Sequence, residues 1–175
     1  MSLLDQVKDQ MGGFEQLVAK IPGYKGYKEK ELRREADKLL RDHIVNRMRT
    51  VKTQLDGLQQ DLMGAGKFDL LDETGSAATQ IQTFIDRVRT APYGYGGLFD
   101  AVKVKEAELD RVYEFDSALM GYADRIESAI GNVRTGIEGE DVRALILMVR
   151  DLAREANTTF DERNDVLRGT ASTGV

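Results

Sequence analysis

The sequence predicts an all-α fold, an antiparallel bundle of four long helices with an N-terminal helix packed as a fifth. Three observations carry this. Leu32, Ala36, Leu39/Leu40, Ile44, Met48, Val51, Leu55, Leu58 and Leu62 recur at steps of three and four, which puts them on one face of a single helix. The chain is 31% charged and 41% apolar with only two prolines among 175 residues, the profile of amphipathic helices. Glycine and proline gather in four short stretches, around residues 22–26, 64–66, 92–97 and 131–139, where helices are expected to stop.

The first helix is expected from a Ser2 cap to about Lys20, with Leu3, Val7, Met11, Phe14, Leu17/Val18 and Ile21 on its apolar side. Gly12-Gly13 interrupts it, each glycine costing about 1 kcal/mol against alanine. The second runs from Lys28 to about Met63. Its stripe has Lys30, Arg33, Arg34, Asp37 and Arg41 on the opposite, solvated side. At 1.5 Å per residue it spans roughly 50 Å and needs partner helices of similar length. Gly64-Ala65-Gly66 supplies residues able to take the left-handed conformation that closes a helix.

The third helix is expected from Asp69 to Arg89, facing inward with Leu70/Leu71, Thr74, Ala77/Ala78, Ile81, Phe84/Ile85 and Val88. Gly75 and Ser76 weaken its start. The fourth takes Leu98 to about Asn132, with Val102, Leu109, Val112/Tyr113, Leu119/Met120, Ala123, Ile126, Ile130 and Val133 inward. The fifth runs from Glu140 to Arg168, carrying Val142, Leu145/Ile146, Val149, Leu152, Ala156, Phe160 and Val166/Leu167. Residues 1–168 form one helical domain in this reading. Residues 169–175, small and polar, form a mobile tail. Short connections favour antiparallel neighbours. A faint echo of Lys28-x-Lys30-Glu31 in Lys103-x-Lys105-Glu106 hints at a duplicated hairpin, but charged helices repeat such patterns by chance.

A net charge of −5 and a pI near 5.1 argue against nucleic acid, whose backbone calls for a basic surface. With no cysteine, disulfides, thiolate metal sites and cysteine nucleophiles are excluded together. No apolar run approaches the length of a membrane span. The N-terminus lacks the basic and apolar regions of a signal peptide, so a cytoplasmic protein is expected. A membrane-surface role for the first helix fits poorly, because Asp5, Asp9 and Glu15 share its polar face with Lys8 and Lys20.

Two features stand out chemically. The loops Gly23-Tyr24-Lys25-Gly26-Tyr27 and Pro92-Tyr93-Gly94-Tyr95-Gly96 combine rigid aromatic contact area with adaptable backbone, as binding loops do. Tyr24, Lys25, Tyr27, Tyr93 and Tyr95 are therefore the candidate partner-binding residues. Their other reading is as lids on the end of the core with hydroxyls in water. Asp116 is the second. It falls where the fourth stripe calls for an apolar residue, and a buried carboxylate needs a partner. Counting turns puts His43, Asn46 and Arg47 of the second helix and Arg150 of the fifth at its level. The expectation is an interior polar layer joining Asp116 to an arginine, to His43 or to both, set against the alternative of a wet Asp116 at the stripe's edge.

One histidine cannot build the paired Glu-x-x-His motif of a di-iron bundle. The spacings of a calcium loop and of a phosphate-binding glycine loop are absent. No catalytic residue, metal or cofactor is therefore expected. The leading expectation is a non-enzymatic interaction or scaffold protein that binds a protein partner or self-associates, with coiled-coil pairing between chains as one route. A ligand-binding or enzymatic bundle around Asp116 and His43 stands as the alternative, and membrane-surface assembly as a second.

Overall fold

The computed structural model describes residues 30–91 and 106–167, with side-chain surroundings from 38 to 91 and from 114 to 166. The expected first helix, both tyrosine loops with Tyr24, Lys25, Tyr27, Tyr93 and Tyr95, and the 169–175 tail lie outside those residues. So do Val102 and the expected helix start at Leu98. Among the described residues the fold is all-helical, with four helices packed together and no strand. They are α1 (Lys30–Gly64), α2 (Leu71–Thr90), α3 (Glu106–Thr135) and α4 (Val142–Leu167), with a 3-10 turn at Phe68–Leu70 before α2.

The sequence stripes become the core. On α1, Leu40, Ile44, Val45, Met48, Val51, Leu55, Leu58 and Leu62 are buried, while Leu39 turns outward. Leu70 of the 3-10 turn and Thr74, Ala77, Ile81, Phe84, Ile85 and Val88 of α2 are buried, and the helix is continuous through Gly75 and Ser76. Leu119, Tyr122, Ala123, Ile126, Ala129, Ile130 and Val133 fill α3; Val142, Ile146, Val149, Ala153, Ala156, Phe160 and Val166 fill α4. The rings of Phe84 and Phe160 meet edge to face at 6.2 Å, tying α2 to α4. Helix α3 runs a turn beyond the expected stop at Asn132. Gly131 does not end it, because burying Val133 outweighs the roughly 1 kcal/mol helix penalty of a glycine.

The first turn is built as the glycines require. Lys67 N–H donates to Leu62 O at 2.9 Å and Gly66 N–H to Met63 O at 3.1 Å, with Gly66 at φ 72°. This pair of bonds around a left-handed glycine is the Schellman closure. In the second turn Gly139 N–H donates to Gly136 O at 2.8 Å. A methyl group on Gly139 would stand 3.1 Å from that same oxygen. Asp141 O accepts the first helical bond of α4, from Leu145 at 3.1 Å.

Each short turn makes a hairpin, α1 with α2 and α3 with α4. Within the second hairpin Asp116 lies opposite Arg163, Tyr122 opposite Thr159 and Arg125 opposite Glu155, so these helices run antiparallel. In the first, Arg41 near the start of α1 donates to Ala91 O after the end of α2. Between hairpins the order is different. Arg47 meets Asp124 and Arg134 meets Asp61, so α1 and α3 run parallel. Arg143 meets Glu73 and Arg87 meets Asp161, so α2 and α4 run parallel too. The principal packing pairs are α3 with α4, α2 with α4, α1 with α2 and α1 with α3. The second hairpin therefore lies beside the first in the same orientation, both turns at one end. At the other end stand the start of α1, the end of α2, the start of α3 and the end of α4.

Candidate functional site: a buried ion pair, two arginine seams and an outer groove

Asp116 is buried, 1% exposed, and its partner is Arg163 of α4, 2% exposed, whose Nε donates to Asp116 Oδ1 at 2.5 Å. Of the residues placed with it from sequence, none appears in that bond. Arg47 faces outward between α1 and α3, Asn46 is exposed, His43 is half-buried on α1, and Arg150 pairs with its neighbour Asp151. Arg150 stands only eight residues after the start of α4, too near the turn to reach the level of Asp116. Asp116 lies nineteen residues before the end of α3, and its opposite number on α4, twenty-one residues after that helix begins, is Arg163. Arg47 reaches instead to Asp124 and Glu127, eight and eleven residues further along α3 than Asp116. The signal for Arg163 was nonetheless in the sequence. It sits three residues after Phe160 and three before Val166, inside the stripe of α4, as Asp116 sits inside that of α3.

The seams between the hairpins are held by one arginine from every helix. On the α1–α3 side, Arg47 Nη2 donates to Asp124 Oδ1 at 2.5 Å and to Glu127 Oε2 at 2.9 Å. Gln54 Nε2 reaches Glu127 Oε1 at 2.6 Å. The Gln54 bond first, and Arg47 second, hold the Glu127 carboxyl below the usual carboxylate range. Asp124 and Glu127 together push Arg47 up. Arg134 donates to Asp61 Oδ2 at 3.1 Å and to Gln54 O at 3.0 Å, lying across Gly57, where an added Cβ would stand 3.0 Å from its Nη2. On the α2–α4 side, Arg143 pairs with Asp69 at 2.8 Å and with Glu73. Arg87 pairs with Asp161, donates to Asn157 Oδ1 at 3.2 Å and stacks over the Phe160 ring at 5.4 Å. Asn157, buried, donates to Gln80 O at 2.9 Å and Ala153 O at 3.1 Å. These cross-helix pairs were not foreseen, since the period of one helix carries no information about which helix lies beside it.

Along its outer surface the α3–α4 hairpin carries a shallow open groove, which reaches the edge of the α1–α3 seam at Asp124. Asp124, Arg125, Ser128, Ala129 and Asn132 of α3 line one wall and Met148 and Leu152 of α4 the other. It continues along α4 past Ala144, Leu147, Asp151 and Glu155. Met148 is 52% exposed there. Nearby, Tyr122 donates to or accepts from Thr159 at 3.0 Å under the Arg125 guanidinium. Burial pushes its hydroxyl up, and the Thr159 bond opposes this.

Among the described residues no three His, Cys, Asp or Glu side chains converge as metal ligands would, and no helix is long and apolar enough to cross a membrane. Comparison with protein-family models, with curated proteins and with solved structures returns no match.

Proposed function

We propose that this chain is a non-enzymatic helical scaffold, which acts by presenting helix surfaces to a protein partner or to a second copy of itself. The observation that supports this is where its apolar surface lies. The space between the four helices is filled by buried aliphatic and aromatic side chains. Its buried polar groups Asp116, Arg163, Asn157 and Thr74 are hydrogen-bonded within the bundle. The apolar concavity, with Met148 half in solvent, faces outward along α3 and α4. A groove between two helices is a seat for another helix. The Asp116–Arg163 contact reads as structural, a pair that fixes how α3 and α4 align. The tyrosine loops, with Tyr24, Lys25, Tyr27, Tyr93 and Tyr95, belong to the same reading as a second contact surface, in a cytoplasmic protein.

The test is cross-linking with mass spectrometry on three versions of the chain: the native one, Met148→Glu, and one with the four loop tyrosines changed to Ser. The expected result is loss of specific protein contacts from at least one variant while helicity by circular dichroism is unchanged. Identical contacts in all three would remove both surfaces, and the scaffold reading with them.

A further inference from the structure

The two hairpins carry the same burial pattern. Met48, Val51, Leu55, Leu58 and Leu62 of α1 coincide, under one constant shift along the sequence, with Leu119, Tyr122, Ile126, Ala129 and Val133 of α3. Leu70, Thr74, Ala77, Ile81, Phe84, Ile85 and Val88 coincide, under a shift one residue longer, with Val142, Ile146, Val149, Ala153, Ala156, Asn157 and Phe160. All are buried. Helix α3 adds Ala123 and Ile130, whose counterparts Lys52 and Gln59 are half-exposed. Because α1 runs parallel to α3 and α2 to α4, the second hairpin follows from the first by a sideways displacement, the relation between successive units of a helical stack.

The same shifts connect the outer groove to the seam. Groove residues Arg125, Ser128 and Asn132 stand where α1 has Gln54, Gly57 and Asp61, and Leu152 stands where the first hairpin has Gln80. Those four positions of the first hairpin are where the second is seated. Arg134 lies over Gly57 and donates to Gln54 O and Asp61, and Asn157 donates to Gln80 O. The second hairpin thus turns outward the seat that the first turns inward.

The occupant is indicated by the counterpart of Arg134. Under the α1-to-α3 shift it is Met63, a 45% exposed methionine. A hairpin added by the same displacement would bring its Met63 over Ser128, beside Met148 and Leu152, apolar against apolar. We infer that the groove receives the α1–α2 hairpin of a second copy of this chain, so that copies add head to tail with Met63 of one against Met148 of the next. Such a contact joins two different faces and leaves one of each free, so it does not close on itself by a two-fold axis. This rests on the scaffold reading and names its partner.

The chain has no cysteine, which makes single-cysteine versions clean probes. Met63→Cys and Met148→Cys chains are mixed and oxidised, and each is also oxidised alone. The expected outcome is a mixed disulfide several-fold more abundant than either self-linked product. In sedimentation, the native chain should show a mass that rises with concentration. Met148→Glu should stay monomeric with unchanged helicity. A native chain that stays monomeric up to about 100 μM, roughly the dissociation range of weak contacts, would overturn the inference. Predominant Met148→Cys self-linking, the mark of a face-to-face dimer, would overturn it as well. If the native chain is monomeric and Met148→Glu still loses a protein contact in the cross-linking comparison, self-association fails and the scaffold reading stands. If the native chain is monomeric and all three versions in that comparison keep identical contacts, both fail.

Discussion

Asp116 and Arg163 are each nearly inaccessible to water, and a charge held there depends on its counter-charge. Asp116→Asn removes the carboxylate that meets the Arg163 guanidinium, and the expected cost is about 3–5 kcal/mol in unfolding by denaturant. Changing both, Asp116→Leu with Arg163→Met, should recover much of that, because an apolar pair does not carry the desolvation penalty of two ions. A double variant no more stable than the single one would contradict this account. Glu127 gives a pH prediction. Its carboxyl is held low in the folded state by Gln54 and Arg47, so its contribution to stability is present above the unfolded value, near pH 4.3, and is lost as pH falls through the folded one. Glu127→Gln should therefore flatten the fall in stability measured by denaturant titration from about pH 5 to pH 3. An unchanged slope would mean that other carboxylates carry it. Asp116 was legible in the sequence as a polar residue at an apolar position. Its partner required the register of α3 against α4, which the ends of the two helices determine and the stripe does not.

Among the elements, the glycines separate into opposite classes. Gly66 takes φ 72° at the end of α1, a region that costs an L-residue about 1–2 kcal/mol. Gly66→Ala should lower stability by about that amount and Gly66→Asn by less. Gly131 stands in the interior of α3 with nothing within 4 Å of an added Cβ. Gly131→Ala should raise stability by about 1 kcal/mol, read as a higher midpoint in thermal unfolding. Shifts of the same sign for Gly66→Ala and Gly131→Ala would refute the distinction. The helices were readable as elements because each stripe is set by its own residues. Leu40 rather than Leu39 and Ala153 rather than Leu152 are the buried members, a choice made by the neighbouring helix and so beyond one-helix periodicity.

For the whole molecule, the seams and the interior pair respond differently to salt. The seam arginines are a third to a half exposed, as Arg143 is at 47%, and exposed pairs contribute about 1 kcal/mol or less and are screened. The cost of Arg143→Gln should shrink between about 0.05 and 0.5 M NaCl, whereas that of Asp116→Asn should persist. Equal salt sensitivity would place the Asp116 pair in solvent. The parallel stacking of hairpins was the least legible feature, since short connections indicate which helices are consecutive and not how one hairpin lies on another. It has a consequence for attachment. Dyes on Lys38 and Glu162, near the first and last described turns, should sit about 15 Å apart, the diagonal of a four-helix square. From a dye on Lys67, Lys38 should be roughly 40 Å away and Glu162 roughly 30 Å. Anything tethered to both ends of the described chain would leave by the same pole, bringing two cargoes to within a helix or two of each other.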